Sequence, residues 1–179
     1  WDENIDFVQA LTNNFTKVKE MIDMYQERYR AFAGLDLIHY ISIFKNKGPR
    51  AGATVAHPHS QLIATPITDP DIQRSLAGSA EFFKREKKCV HCVMIDWDRK
   101  EKKRIIFENK CMVALTPFAS RVAFEVRIFP KEHLTYFEKA DECQKECLAE
   151  AFGVTMRGLD AALNDPDYNY FLHTAPADE

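Results

Sequence analysis

The chain has 179 residues, of which 46% are apolar, 28% charged and 12% aromatic, a globular composition that excludes disorder, collagen and repeat polymers. Its 24 basic and 27 acidic residues leave a net charge of −3 without a long basic stripe, so no nucleic-acid partner is expected. There is no apolar run of the roughly 18 residues a membrane span needs, and Trp1-Asp-Glu-Asn4 does not read as a secretory signal, so a cytoplasmic location and no membrane partner are expected.

Phe7, Leu11, Phe15, Val18, Ile22 and Tyr25 recur at spacings of three and four, which predicts a helix over 5–32 stopped by Gly34. The β-branched and aromatic stretch 35–44 predicts a buried strand in which His39 is a structural histidine. A loop from Asn46 to Gly52 leads to a second strand over 57–65, and Pro66 and Pro70 then break the chain. A polar helix is expected over 71–88, its end carrying Lys84, Arg85, Lys87 and Lys88 as a solvated basic cluster. Short strands are predicted over 104–108, 111–115 and 123–129, then a long amphipathic helix over 141–163 and a strand over 168–172. Trp97 and Tyr136 read as packing aromatics.

Helix followed by buried strand thus occurs twice, at 5–44 and at 141–172, which reads as a tandem duplication cut short at both ends. The expected fold class is α+β, an antiparallel sheet with long helices in two related and incomplete units, divided as 1–68 and 69–179.

His57-Pro58-His59-Ser60-Gln61 carries the most chemistry. On a strand His57, His59 and Gln61 share one face at about 6–7 Å spacing. Two surface histidines after a turn would look the same. The preceding loop argues for more: Gly48 and Gly52 allow successive N–H groups to form an anion nest, with Arg50 adding charge and Thr54 a hydroxyl. An imidazole facing such a loop is a competent nucleophile toward phosphorus, because at neutral pH it is partly unprotonated.

The run N-x-G-x-x-x-G-x-T-x-x-H-P-H-x-Q, formed by Asn46, Gly48, Gly52, Thr54, His57, His59 and Gln61, resembles the active-site signature of the galactose-1-phosphate uridylyltransferase family, the transferase branch of the histidine-triad superfamily. The resemblance implies a histidine-triad-like fold and His59 as the nucleophile of a covalent nucleotidyl-histidine. It also implies Gln61 holding a phosphoryl oxygen, the His57 carbonyl orienting the His59 ring and the His57 side chain binding a metal. Asn46 and Thr54 would contact the nucleotide phosphates. Triad hydrolases carry histidine where Gln61 stands; a neutral amide donates to phosphate but cannot relay a proton to water, so the intermediate waits for a second phosphate ester. Ala53 and Ser60 depart from the residues many relatives carry, which leaves the substrate open.

Cys89-Val-His-Cys92 is a CxxC able to hold two positions of a tetrahedral zinc, with His133 as a third candidate ligand; a redox pair and two plain thiols are the other readings. Asn109, Met112, Ala114, Pro117, Phe124, Pro130 and His133 resemble the unit repeated in the family's second half, which in some members, notably the plant ADP-glucose phosphorylase relatives, keeps a zinc site of CxxC and two histidines. By that resemblance Cys89, Cys92 and His133 would be zinc ligands and the fourth would lie in a strand beyond Glu179, with His173 a less favoured substitute; His91, pointing away from the CxxC chelate, is not expected to ligate. Cys143 and Cys147, four apart on the predicted helix, are a ligand pair or packing thiols, with packing expected.

The function expected is transfer of a nucleoside monophosphate, UMP by the resemblance, between a nucleotide sugar and a sugar 1-phosphate, with zinc as cofactor and a homodimer as the assembly. An ADP-glucose phosphorylase or related adenylyltransferase is the alternative within the class. A catalytically silent zinc-binding structural module is the alternative outside it.

Overall fold

Asn14 opens the first helix, α1 (Phe15–Ala33), by accepting hydrogen bonds from the backbone N–H groups of Thr16 and Lys17, donors that a helix start leaves unpaired. A computed structural model describes residues 14–55 and 57–177, so the part of the predicted helix before Asn14 lies outside the described residues. The expected stripe is buried at Val18, Ile22 and Tyr25, and Tyr29 continues it. The next strand begins later than its composition suggests. Leu35 and Leu37 are 53% and 78% exposed, and β1 runs Tyr40–Lys47. After Ala33 the chain spends its hydrogen bonds on a turn, Leu35 N–H to Phe32 O at 3.1 Å and Ile38 N–H to Leu35 O at 3.3 Å, with Leu37 at φ 70°. Extended structure starts only where strand partners are available.

A short 3-10 turn (Pro49–Ala51) precedes β2 (Gln61–Thr65). Then come α2 (Pro70–Glu86), α3 (Val90–Glu101), β3 (Ile105–Glu108), β4 (Met112–Leu115), β5 (Arg127–Pro130), α4 (Glu142–Leu163) and β6 (Tyr168–Leu172). The helix α3 was not anticipated, although Val90, Val93, Met94 and Trp97 follow helical spacing; of its residues only Ile95 and Asp98 are buried. The strand predicted over 123–129 shrinks because Glu125 accepts from Arg121 N–H at 2.6 Å and from Arg127 Nε at 2.8 Å, folding the residues before β5 into a turn.

Two three-stranded antiparallel sheets result, β2-β1-β6 and β3-β4-β5. In the first, Tyr40 faces Thr65 and Phe44 faces Gln61 on one edge of β1, while Ile43 faces Leu172 and Lys47 faces Tyr168 on the other. One sheet therefore takes strands from both ends of the chain, and the two helix–strand pairs lie side by side. The helices α1 and α4 meet through Val18, Ile22 and Ala149. Gly153 makes their approach possible, since a Cβ there would stand 2.7 Å from the Phe15 ring. At the solvent end of this seam Lys145 bridges Asp23 at 2.6 Å and Glu142 at 2.5 Å, and Lys19 bridges the same pair at 2.8 and 2.7 Å. Burial alone would raise the Asp23 carboxyl, but the hydrogen bonds from Lys145 and Lys19 outweigh it and hold it below the ordinary carboxylate range. The mixed helix and antiparallel sheet match the α+β expectation. Among the described residues no helix is long and apolar enough to cross a membrane.

Candidate active site and cysteine clusters

The strand predicted over 57–65 begins only at Gln61; His57 to Ser60 approach it outside the ladder. Phe44 is the last residue of β1 paired on this side, and Pro58 has no N–H to donate. His59 is nevertheless fixed. Its Nδ1 lies 2.8 Å from the carbonyl oxygen of His57, the bond expected of this pair. A carbonyl only accepts, so Nδ1 carries a proton, and the neutral form of the ring has its lone pair on Nε2. His59 is half-buried, and His57 is exposed.

The loop before it is closed more tightly than an open nest. Ala51 and Ala53 donate their N–H groups to Gly48 O at 3.2 and 3.0 Å, and Gly52 donates to Pro49 O at 3.1 Å. Arg50 N–H donates to the Asp167 carboxylate at 2.8 Å, so the anion in contact with this loop comes from the protein itself. Gly48, at φ 82°, makes room for it, because a Cβ would overlap that carboxylate. Gly52 is also left-handed, at φ 83°, with the Asn46 amide beside it. Asn46 itself stands in β1 opposite Asn169 rather than in the loop, while Thr54 is exposed.

Sequence reasoning missed the anchor behind the histidines. Ser60 Oγ lies 2.5 Å from the Tyr25 hydroxyl, which lies 2.8 Å from the Tyr170 hydroxyl. Burial pushes both phenols above their usual range, Tyr170 the more strongly, so neither ionises near neutrality. A shallow groove of about 160 Å³ opens beside this anchor, lined by Met24, Tyr25, Arg28, Ser60, Gln61 and Leu62. The signal was Tyr25 within the helical stripe, where an aromatic with a hydroxyl has to find a polar partner.

Cys89 is the N-cap of α3 and Cys92 lies on its first turn. The ligand atoms of Cys89, Cys92 and His133 all lie within 4.8 Å of one another, with Cys92 Sγ 3.3 Å from His133 Nδ1. Tetrahedral zinc–thiolate and zinc–imidazole bonds set such a pair about 3.6 Å apart, so the three residues fit zinc. His133 Nε2 contacts Thr135 Oγ1 at 3.0 Å, a second contact of the kind that holds a ligating ring. His91 packs against Phe129 and stays out of the group, as expected. His173 packs against Phe171 and does not join either; nor does His57. The remaining three cysteines come together elsewhere: Cys111, Cys143 and Cys147 also place their sulfurs within 4.8 Å. All five cysteines are free thiols. Contact with Cys147, burial and contact with Cys143 push the Cys111 thiol up to about 12.

Lys84, Arg85, Lys87 and Lys88 are exposed, as expected of a solvated helix end, whereas Trp97 is 51% exposed rather than packed in the interior. Arg104 lies over the Trp97 ring at 5.1 Å and Lys139 over Tyr136 at 4.0 Å, while Arg85 pairs with Glu86 at 2.7 Å. His39 is tied by its backbone, its N–H to Thr65 O and its carbonyl to Ala177 N–H, both at 2.9 Å.

No family model matches the chain. Individual relatives do. ADP-glucose phosphorylase of Arabidopsis thaliana is 34% identical over 159 residues, covering 89% of this chain and 44% of that protein. Its crystal structure with bound ADP-glucose matches with a TM-score of 0.86 at 32% identity, over 94% of this chain and 53% of that one. Galactose-1-phosphate uridylyltransferase of Thermotoga maritima is 28% identical over 172 residues, 88% of this chain and 54% of that protein. A solved mutant uridylyltransferase matches with a TM-score of 0.89 at 28% identity, covering 98% of this chain and 57% of that one. The resemblance to the galactose-1-phosphate uridylyltransferase family thus holds in sequence and in fold, and the chain spans about half the length of these relatives.

Proposed function

We propose that this relative of the galactose-1-phosphate uridylyltransferases carries the nucleophile half of a nucleotidyltransferase that moves a nucleoside monophosphate between a nucleotide sugar and a sugar 1-phosphate through His59. The observation that carries the reading is the 2.8 Å bond from His59 Nδ1 to the His57 carbonyl, which commits the proton to one nitrogen and leaves the other basic. In the first step His59 Nε2 attacks the α-phosphorus, the P–O bond to the β-phosphate breaks, and the sugar 1-phosphate leaves with that oxygen. The positive charge that develops on the ring is stabilised by the His57 carbonyl. Gln61, following the anchored Ser60, donates to a non-bridging oxygen and offers no proton relay to water. Asn46 and Thr54 supply neutral donors for the remaining phosphate oxygens. A second phosphate ester then attacks the same phosphorus and frees His59.

UMP is the nucleotide implied by the sequence signature. An adenylyl version is favoured by the higher identity to the Arabidopsis ADP-glucose phosphorylase, 34% against 28% for the Thermotoga uridylyltransferase. Cys89, Cys92 and His133 would hold zinc, which when bound supplies a cross-link between the start of α3 and the segment after β5 rather than chemistry at His59.

The test is intact mass after incubation with UDP-glucose or with ADP-glucose. A gain of one nucleoside monophosphate names the base, and His59→Asn should abolish it. An adduct that survives His59→Asn, or no adduct with either nucleotide sugar, would refute the reading.

A further inference from the structure

Cys111 follows β3 and enters β4, whereas Cys143 and Cys147 lie four apart on the first turns of α4. The turn carrying Cys111 is fastened to that helix by Asn109. Its side-chain oxygen accepts from the N–H groups of Cys111 and Met112 at 3.1 and 2.8 Å, and its amide nitrogen donates to Cys147 O and Glu150 Oε2, both at 2.8 Å. Lys131 closes the other side, its N–H to Cys111 O at 2.7 Å and its ammonium to Asn109 O at 2.9 Å. The three sulfurs are thus held by a hydrogen-bonded frame and not by side-chain packing alone.

We propose that Cys111, Cys143 and Cys147 form a binding site for one thiophilic divalent cation of the zinc type, separate from the Cys89–Cys92–His133 group and independent of the His59 reading. Bonds of about 2.3 Å at tetrahedral angles separate two ligand sulfurs by about 3.8 Å. Cys111 and Cys143 stand 3.6 Å apart, far beyond the roughly 2.05 Å of a disulfide. Three thiolates leave a fourth position for water, and each thiol gives up its proton to solvent on binding. Three thiolates and a divalent cation carry one net negative charge, and Lys110, whose ammonium lies 3.6 Å from Cys143 Sγ, balances it. Cys147 is buried against Met112 and Ala151, so the metal would close the space between helix and sheet at the edge of a hydrophobic cluster.

The test removes the first group with Cys89→Ser and Cys92→Ser, strips the protein with chelator under reduction, and titrates Co²⁺ while following thiolate-to-cobalt charge-transfer absorption. One Co²⁺ per chain with a thiolate band is expected, and adding Cys143→Ala should weaken binding at least tenfold. No thiolate band in the Cys89→Ser/Cys92→Ser protein, or a band indifferent to Cys143→Ala, would overturn the proposal. Should those variants fail to fold, alkylation of the unaltered chain decides: Zn²⁺ is expected to protect Cys111 and Cys143 from iodoacetamide, and labelling unchanged by Zn²⁺ would overturn it.

Discussion

Replacing Tyr25 by Phe removes one oxygen and nothing else, yet it breaks the chain of hydroxyls that ties Ser60 to the helix and the sheet. Tyr25 is 7% exposed, and its hydroxyl holds Ser60 Oγ at 2.5 Å and Tyr170 OH at 2.8 Å. Tyr170 loses its 2.8 Å hydrogen bond and keeps the Ser60 hydroxyl and a 3.5 Å contact to Met21 Sδ, a loss of about 1–2 kcal/mol for a buried hydroxyl. Ser60 is exposed and recovers a hydrogen bond from water, so its share is about 0.5 kcal/mol. Together these give about 2 kcal/mol, or a fall in Tm of about 4–8 °C for a chain of this size. Ser60→Ala alone should cost no more than about 1 kcal/mol. In a double-mutant cycle read by urea denaturation, the two changes should couple by about 0.5–1 kcal/mol, because either one removes the shared bond. If the tyrosine anchor positions the nucleophile, both variants should also slow adduct formation at His59 without changing which nucleotide is accepted. Strict additivity of the two stability losses would show that Tyr25 and Ser60 are neighbours without a bond between them.

Gly48→Ala should destabilise the chain by about 2 kcal/mol or more, from a non-glycine residue at φ 82° and from overlap with the Asp167 carboxylate. Thermal unfolding should show Asp167→Ala returning part of that loss in the Gly48→Ala protein while remaining harmful on its own; equal damage in both backgrounds would exclude the carboxylate as the obstacle. Acid should weaken the α1–α4 seam. The folded Asp23 carboxyl titrates below its unfolded value of about 3.9, so its contribution is present above that pH and is lost as the pH falls through the lower folded value. With the carboxylate 38% exposed the effect stays below about 1 kcal/mol, and denaturation curves at pH 6 and pH 3 should lie closer together in Asp23→Asn than in the unaltered chain.

The long helices, the β-rich segments and the histidine signature were legible in the amino-acid sequence because their signals are local. The stripe Val18–Ile22–Tyr25 and the run through 141–163 repeat with the period of a helix, and that period survives whatever the helix packs on. The carbonyl–imidazole bond between His57 and His59, implied by the resemblance of this signature to the uridylyltransferase family, spans two residues and so is equally local. Boundaries failed where hydrogen bonds went elsewhere: the turn at Leu35–Ile38, the Glu125 turn and the late start of β2 all depend on which donors have strand partners. Composition cannot report this. What remained belonged to the tertiary structure alone. Ser60 meets Tyr170 through Tyr25, Asp167 enters the glycine loop, and Cys111 reaches Cys143 across 32 positions of sequence. None of these pairs shares a period or a spacing. They meet because α4 packs against both α1 and the sheet holding β4, and because β6 returns beside β1, so the docking of apolar faces decided which polar groups became neighbours.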